Sequence, residues 1–189
     1  MTARPRSTDG TSLVPADGTT LVESVVDDLP GGRALDIATG EGRVALTLAE
    51  HGWTVDAIDL SRSKLDQARN RAATRTESVD WILADVDSYC FPEASYDVIA
   101  VRFFDARDRL DDIMGALTSD GVLVYEHHLQ SDPESHGSTN QYWFRPNELL
   151  NACTELRVRY YAEDRDRSRV WLVAARPPPQ SIGVVHDRR

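Results

Sequence analysis

Short apolar runs alternate with amphipathic stretches along most of this chain. Leu21, Val25 and Leu29 recur at helical spacing, and Pro30-Gly31-Gly32 closes that helix. "RALDIA" then predicts a strand, followed by a glycine-rich turn and a helix over Arg43 to His51. The unit recurs: "TVDAIDL" predicts a second strand and Ser61 starts a helix, because its side-chain oxygen can accept a first-turn N–H. "VDWILA" and "YDVIAV" predict two more strands, Leu110 to Leu117 a helix with Ile113 and Met114 inward, and "GVLVYEH" a fifth strand. Near-continuous apolar strands separated by helices require a parallel sheet covered on both faces.

The last third changes character. After a loop through "HLQSDPESHGSTNQYWF" a short helix starts near Pro146, and the strands "LRVRYYAE" and "SRVWLVAAR" are separated only by "DRDR". So short a link allows only an antiparallel pair, and the sheet is expected to be mixed. Residues 1–18, rich in Thr, Ser, Pro, Gly and Asp, bury too little surface to offset their ordering entropy and are expected as a disordered tail. The proline-led stretch 177–189 is expected to be loose as well, leaving 19–176 as one domain.

Composition narrows the function. Net charge is −10, from 31 acidic against 21 basic side chains, and such a surface repels phosphate backbones and anionic lipid. Nucleic acid and membrane are therefore not expected partners. Lys64 is the one lysine of the chain, an acidic and lysine-poor pattern that suits either a salty cytoplasm or a biased genome. Cys90 and Cys153 show no metal-ligand spacing and are expected as buried free thiols, with no metal site. Without a membrane-length apolar run or an apolar leader, the protein is expected to be cytoplasmic.

The candidate chemistry sits at strand ends. "LDIATGEG" sets Asp36 inside an apolar strand and Gly40 and Gly42 at the turn, where bare backbone lets a ligand approach helix-terminal N–H groups. "GEGRVA" read as G-x-G-x-x-A, with Asp59 nineteen residues after Gly40, suits a dinucleotide or an adenosyl cofactor equally. Asp36 separates the two, since a carboxylate serves a ligand carrying an ammonium and a sulfonium; its other reading is a cap for the following turn. Asp85, directly after the third strand, can accept from an exocyclic adenine amine, while the Val86 backbone addresses the ring edge.

The succession "LDIATGEGRVALTLAEHGWTVDAIDLSRSKLDQAR", "ILADVDSYCFPEASYDVIAV" and "LTSDGVLVYEH" closely resembles the class I S-adenosylmethionine-dependent methyltransferases over about residues 20–176. "GEGR", "VRFF" and "WFRPNELLNACTELRVRYYAED" resemble the small tellurite-resistance-type members. The resemblance implies an α/β, Rossmann-like three-layer sandwich whose seven-stranded sheet is mostly parallel with an antiparallel C-terminal strand. It implies S-adenosyl-L-methionine as cofactor, leaving as S-adenosyl-L-homocysteine. Asp36, Ala38, Gly40 and Gly42 would hold its methionine part, Asp59 its ribose, and Asp85 and Val86 its adenine, with Glu41, Arg43, Leu60 and Arg102 as further contacts. Two departures stand out: Ala38 replaces the first glycine of the family motif, and "SDG" replaces Pro-Gly-Gly before the fifth strand.

A small-molecule methyl acceptor is the expected partner; oligomeric state stays open. A sulfonium is already an activated leaving group, so no catalytic base is assigned. Candidates for substrate positioning are Arg102, His127, His128, Trp143 and Arg145, with Phe104 and Tyr142 beside them. The arginines would suit an oxyanion, a carboxylate or a metalloid oxyanion, and a thiol acceptor is also open. Phe103 is expected in the core, Arg145 is open to anchoring a helix through Glu148, and adjacent strand side chains point apart, so at most one of His127 and His128 should face the site. Arg43 opens a helix, where the dipole disfavours a cation, and is open to pairing with an acid, touching ligand or staying solvated. Two alternatives remain: a non-catalytic module that binds the cofactor, and a nicotinamide-dependent reductase, whose short-chain type lacks its Tyr-x-x-x-Lys because Leu60 stands four residues before Lys64.

Overall fold

The apolar runs form strands β1 (Arg33–Ile37), β2 (Thr54–Asp59), β3 (Val79–Leu83), β4 (Tyr96–Arg102), β5 (Leu117–His128), β6 (Arg157–Asp164) and β7 (Arg169–Ala175) in a computed structural model that describes residues 14–72, 78–130 and 140–178. Helices α1 (Leu21–Val25), α2 (Arg43–Glu50), α3 (Arg62–Ala72), α4 (Leu110–Ala116) and α5 (Glu148–Ala152) connect or cover them. All strands join one sheet in the order β3-β2-β1-β4-β5-β7-β6. The first five pair in parallel, whereas β7 runs antiparallel to β6, as the short "DRDR" link requires, and also to β5.

This order places the site. From β1 the chain moves outward through β2 to β3, then returns to the other side of β1 as β4. Helices leave in opposite directions at such a point and open a crevice at the strand carboxyl ends. The two faces of the sheet carry separate cores. Leu35, Ile37, Ile58, Ile99 and Tyr125 pack in one, and Ala34, Val44, Leu48, Val55 and Trp171 in the other. Strand alternation puts Asp36 on the same face as Ala34, under α2, and the carboxylate is almost wholly buried.

Several boundaries differ from the sequence reading. The first helix gives way at Val26 to a 3-10 turn over Val26–Asp28, which tightens the chain ahead of Pro30. Strand β5 begins at Leu117 and carries an irregularity between the pairs Tyr96/Leu117 and Val98/Val122. The "SDG" departure lies in that irregularity, with Asp120 at φ +64°. Val14 to Gly18, expected as tail, are seated on the body: Pro15 is buried, its carbonyl accepts from Arg167 Nη1 at 3.1 Å, and Asp17 pairs with Arg167 at 3.2 Å. The remainder of the two expected tails, 1–13 and 179–189, lies outside the described residues. Cys153 is buried as expected, but Cys90 is exposed. Among the described residues no helix is long and apolar enough to cross a membrane.

Candidate active site

The turn after β1 is built from three left-handed residues in close succession: Ala38 at φ +55°, Gly40 at +60° and Gly42 at +80°. Thr39 N–H is held by the Ile58 carbonyl of β2 at 2.9 Å, and Gly42 N–H by the Thr39 carbonyl at 3.0 Å. Gly42 is the N-cap of α2 and has no side chain to cap with. Asp36 supplies what is missing, accepting from Ala45 N–H at 3.0 Å and from the Thr39 hydroxyl through Oδ2. Asp59, at the end of β2, grips the turn from the other side: Oδ2 accepts from Gly40 N–H and Oδ1 from Ser61 N–H, both at 2.8 Å. The two acids thereby fix the loop whose backbone lines the crevice.

That crevice is a cleft of about 810 Å³. Asp36, Ala38, Gly40, Glu41, Arg43, Asp59, Leu60, Asp85, Val86 and Arg102 all border it, ten of the eleven residues expected to meet a cofactor. Gly42 does not. A Cβ there would stand 2.5 Å from Trp81 Cη2, so Gly42 allows helix α2 to pack on β3. Around Gly40 the same position meets nothing within 4 Å. Leu60 is 70% exposed, an unusual state for a leucine at the end of a central strand. Arg43 makes a two-pronged pair with Glu23 at 2.9 and 3.0 Å while also bordering the cleft. Thr39, Lys64 and Arg71 also line it without having been expected at the cofactor site; Arg71 reaches across from α3 to Glu41.

Burial pushes the Asp36 carboxyl up to about 7, with the nearby Asp59 charge adding to this and its two hydrogen bonds and Arg102 opposing it. Arg102 Nε donates to Glu126 at 3.0 Å, and its guanidinium lies over the Phe103 ring at 4.2 Å. Phe103, expected in the core, instead lines the cleft, held at φ +53° just past the end of β4.

A second cavity of about 560 Å³ adjoins the first, sharing Asp87, Phe103 and Phe104 as common wall. His127, His128, Tyr142 and Trp143 border it, whereas Arg102 borders only the first and Arg145 neither. Both histidines border the cavity, against the expectation of one. His128 is stacked between Phe103 and Trp143 at 4.7 and 4.9 Å, and its Nδ1 faces Arg169 Nη1 at 2.7 Å. His127 is buried, with Nε2 2.9 Å from the Tyr142 carbonyl, which makes Nε2 the protonated nitrogen. Burial pushes its pKa down to about 4, so it is neutral near pH 7. Arg145 is exposed and meets Glu148 through its backbone N–H at 2.7 Å, not its guanidinium. Arg107, absent from the sequence reading, takes that carboxylate at 2.9 Å and Asp105 at 2.7 Å.

A family profile described as a methyltransferase domain matches residues 34–121. Demethylmenaquinone methyltransferase of Clavibacter sepedonicus is 31% identical over 104 residues, covering 52% of this chain and 42% of the relative. The chain thus spans well under half of that enzyme. Among solved structures, TehB from Haemophilus influenzae superposes with a TM-score of 0.72 at 15% identity, covering 82% of this chain and 61% of that one. An S-adenosylmethionine-dependent methyltransferase from Listeria monocytogenes, described as such provisionally, gives 0.66 at 15% identity, with 82% and 97% covered. At such identities these two likenesses speak for the fold, and the profile match places the glycine turn and its acids within a region similar to a methyltransferase domain.

Proposed function

We propose that the protein transfers a methyl group from S-adenosylmethionine in the first cleft to a small molecule in the second cavity. The observation that carries this is the shared wall: ligands in the two spaces meet across Asp87, Phe103 and Phe104. The donor set fits the cofactor. Each Asp59 oxygen has lone pairs beyond those used by Gly40 and Ser61, enough to accept from ribose hydroxyls. Leu60 offers an exposed apolar surface to an adenine, Asp85 an exposed acceptor to its amine, and the space over Gly40 admits the methionine part.

The bound cofactor supplies a methyl group on a positively charged sulfur. The residues of this chain then have to orient an acceptor and exclude water, and orientation of that kind is worth on the order of 7–11 kcal/mol in favourable cases. Neither histidine is assigned as base, since His127 is buried and His128 already accepts from Arg169. An acidic chain with two aromatic-walled cavities supports a small-molecule acceptor over nucleic acid.

Calorimetric titration with S-adenosylhomocysteine, followed by transfer of labelled methyl to a panel of amines, phenols, thiols, carboxylates and selenite, tests this reading. Saturable binding with transfer to one class is expected. Binding with no transfer to any class would favour the non-catalytic module, and thermal stabilisation by NAD(P)H alone would favour the reductase.

A further inference from the structure

The cationic side chains around the second cavity already have partners. Arg109 is the one arginine among its described lining residues, and each of its three guanidinium nitrogens donates within the protein. Nε bonds Asp112 at 2.9 Å, Nη2 the Tyr89 carbonyl at 2.8 Å, and Nη1 the Val86 carbonyl. Arg107 is held by Asp105, Glu148 and the Gln141 carbonyl, and Arg169 by His128. The histidines add no charge. His128 Nδ1 accepts from a guanidinium, and burial holds His127 neutral.

The acids of this cavity differ. Asp105 is paired with Arg107, but the exposed side chains of Asp87 and Asp108 make no ion pair among the described residues. The same wall carries the aromatic side chains of Phe103, Phe104, Tyr142 and Trp143. Three carboxylates, Asp87, Asp105 and Asp108, against one lining arginine leave this wall net negative beside ring faces, which attracts positive charge and repels negative charge.

We infer that this cavity selects an amine-bearing aromatic acceptor, and that Asp87 and Asp108 set the preference against carboxylates and metalloid oxyanions. The inference rests on the methyltransferase reading above and reverses the oxyanion expectation drawn from the arginines in the sequence. Of those arginines, Arg102 borders only the first cleft and pairs with Glu126, and Arg145 borders neither space.

The test is a titration of the protein saturated with S-adenosylhomocysteine. The probes are 2-phenylethylamine, tryptamine, phenylacetate and selenite, at low and at physiological salt. The amines are expected to bind about tenfold tighter than phenylacetate at low salt, with a smaller gap at higher salt. In the double variant D87N/D108N the preference is expected to shrink to about twofold, with unchanged thermal unfolding as the control for folding. Equal or tighter binding of phenylacetate or selenite, absence of amine binding, or an undiminished preference in the double variant overturns the inference alone. Failure of S-adenosylhomocysteine to bind in the opening titration overturns the methyltransferase reading and the inference with it.

Discussion

Asp36 and Ala45 are joined by a hydrogen bond of 3.0 Å from the helix N–H to the strand carboxylate. A residue of β1 therefore caps α2, because the N-cap position itself is Gly42. In Asp36→Ala, both Ala45 N–H and the Thr39 hydroxyl lose their buried acceptor, a cost of about 1–3 kcal/mol. For a chain of this size that is a fall of roughly 3–10 °C in Tm, measurable by differential scanning calorimetry. An unchanged Tm would show that the cap is dispensable.

The same carboxyl gives a pH prediction. Its pKa rises from the usual carboxylate range to about 7 in the folded protein, so the folded state binds this proton more tightly than the unfolded chain. Its contribution to stability is full below about pH 4 and is lost as pH rises through about 7. A cationic ligand group placed beside it reverses the preference and expels the proton. Titrations of S-adenosylhomocysteine near pH 6.5, in buffers of different ionisation heat, should therefore reveal proton release. Asp36→Asn should abolish it.

Much of this arrangement was legible in the sequence, for local reasons. Apolar runs of strand length and a glycine turn report buried parallel strands and their connection, and strand-end acids stand out because burying a charge is costly. Contacts between distant segments were not legible. Glu148 lies three residues after Arg145, which suggested that pair, yet the side chain reaching it is Arg107, 41 residues away. Phe103 read as core because aromatics usually are, but its positive φ turns it outward past the end of β4, which no local pattern announces.

Asp59 was expected to hold ribose alone, and its bonds to Gly40 and Ser61 add a second task. Asp59→Asn keeps one acceptor oxygen and places an NH₂ group against a backbone N–H. The variant should lose about 1–3 kcal/mol of affinity for S-adenosylhomocysteine and also some stability. Calorimetric binding on the folded variant separates the two effects. Full affinity there would remove Asp59 from the binding site.

Ala38 stands at φ +55°, where an L-residue with a Cβ is strained by about 1–2 kcal/mol. Glycine relieves that strain but loses about 0.4–1 kcal/mol through the greater freedom of the unfolded chain. Ala38→Gly should therefore stabilise the protein by up to about 1 kcal/mol, contrary to the usual sign of an alanine-to-glycine change. Urea unfolding gives the answer, and a clear loss of stability would mean that the Ala38 methyl packs productively against the core.

Gly40 and Gly42 share a positive φ and lie two residues apart, but their surroundings make opposite predictions. Gly42→Ala drives a methyl into Trp81 at 2.5 Å on top of the backbone strain, so it should destabilise by about 2–4 kcal/mol. Gly40→Ala meets open space in the folded protein and should cost only the backbone strain, about 1–2 kcal/mol. Its methyl, however, enters the volume proposed for the cofactor, so affinity for S-adenosylhomocysteine should fall far more than stability does. Measuring unfolding and binding on both variants makes a crossed comparison: Gly42→Ala moves mainly the first, Gly40→Ala mainly the second. If Gly40→Ala bound the ligand as the parent does, the cofactor could not lie over this turn, and the whole assignment of the cleft would fall with it.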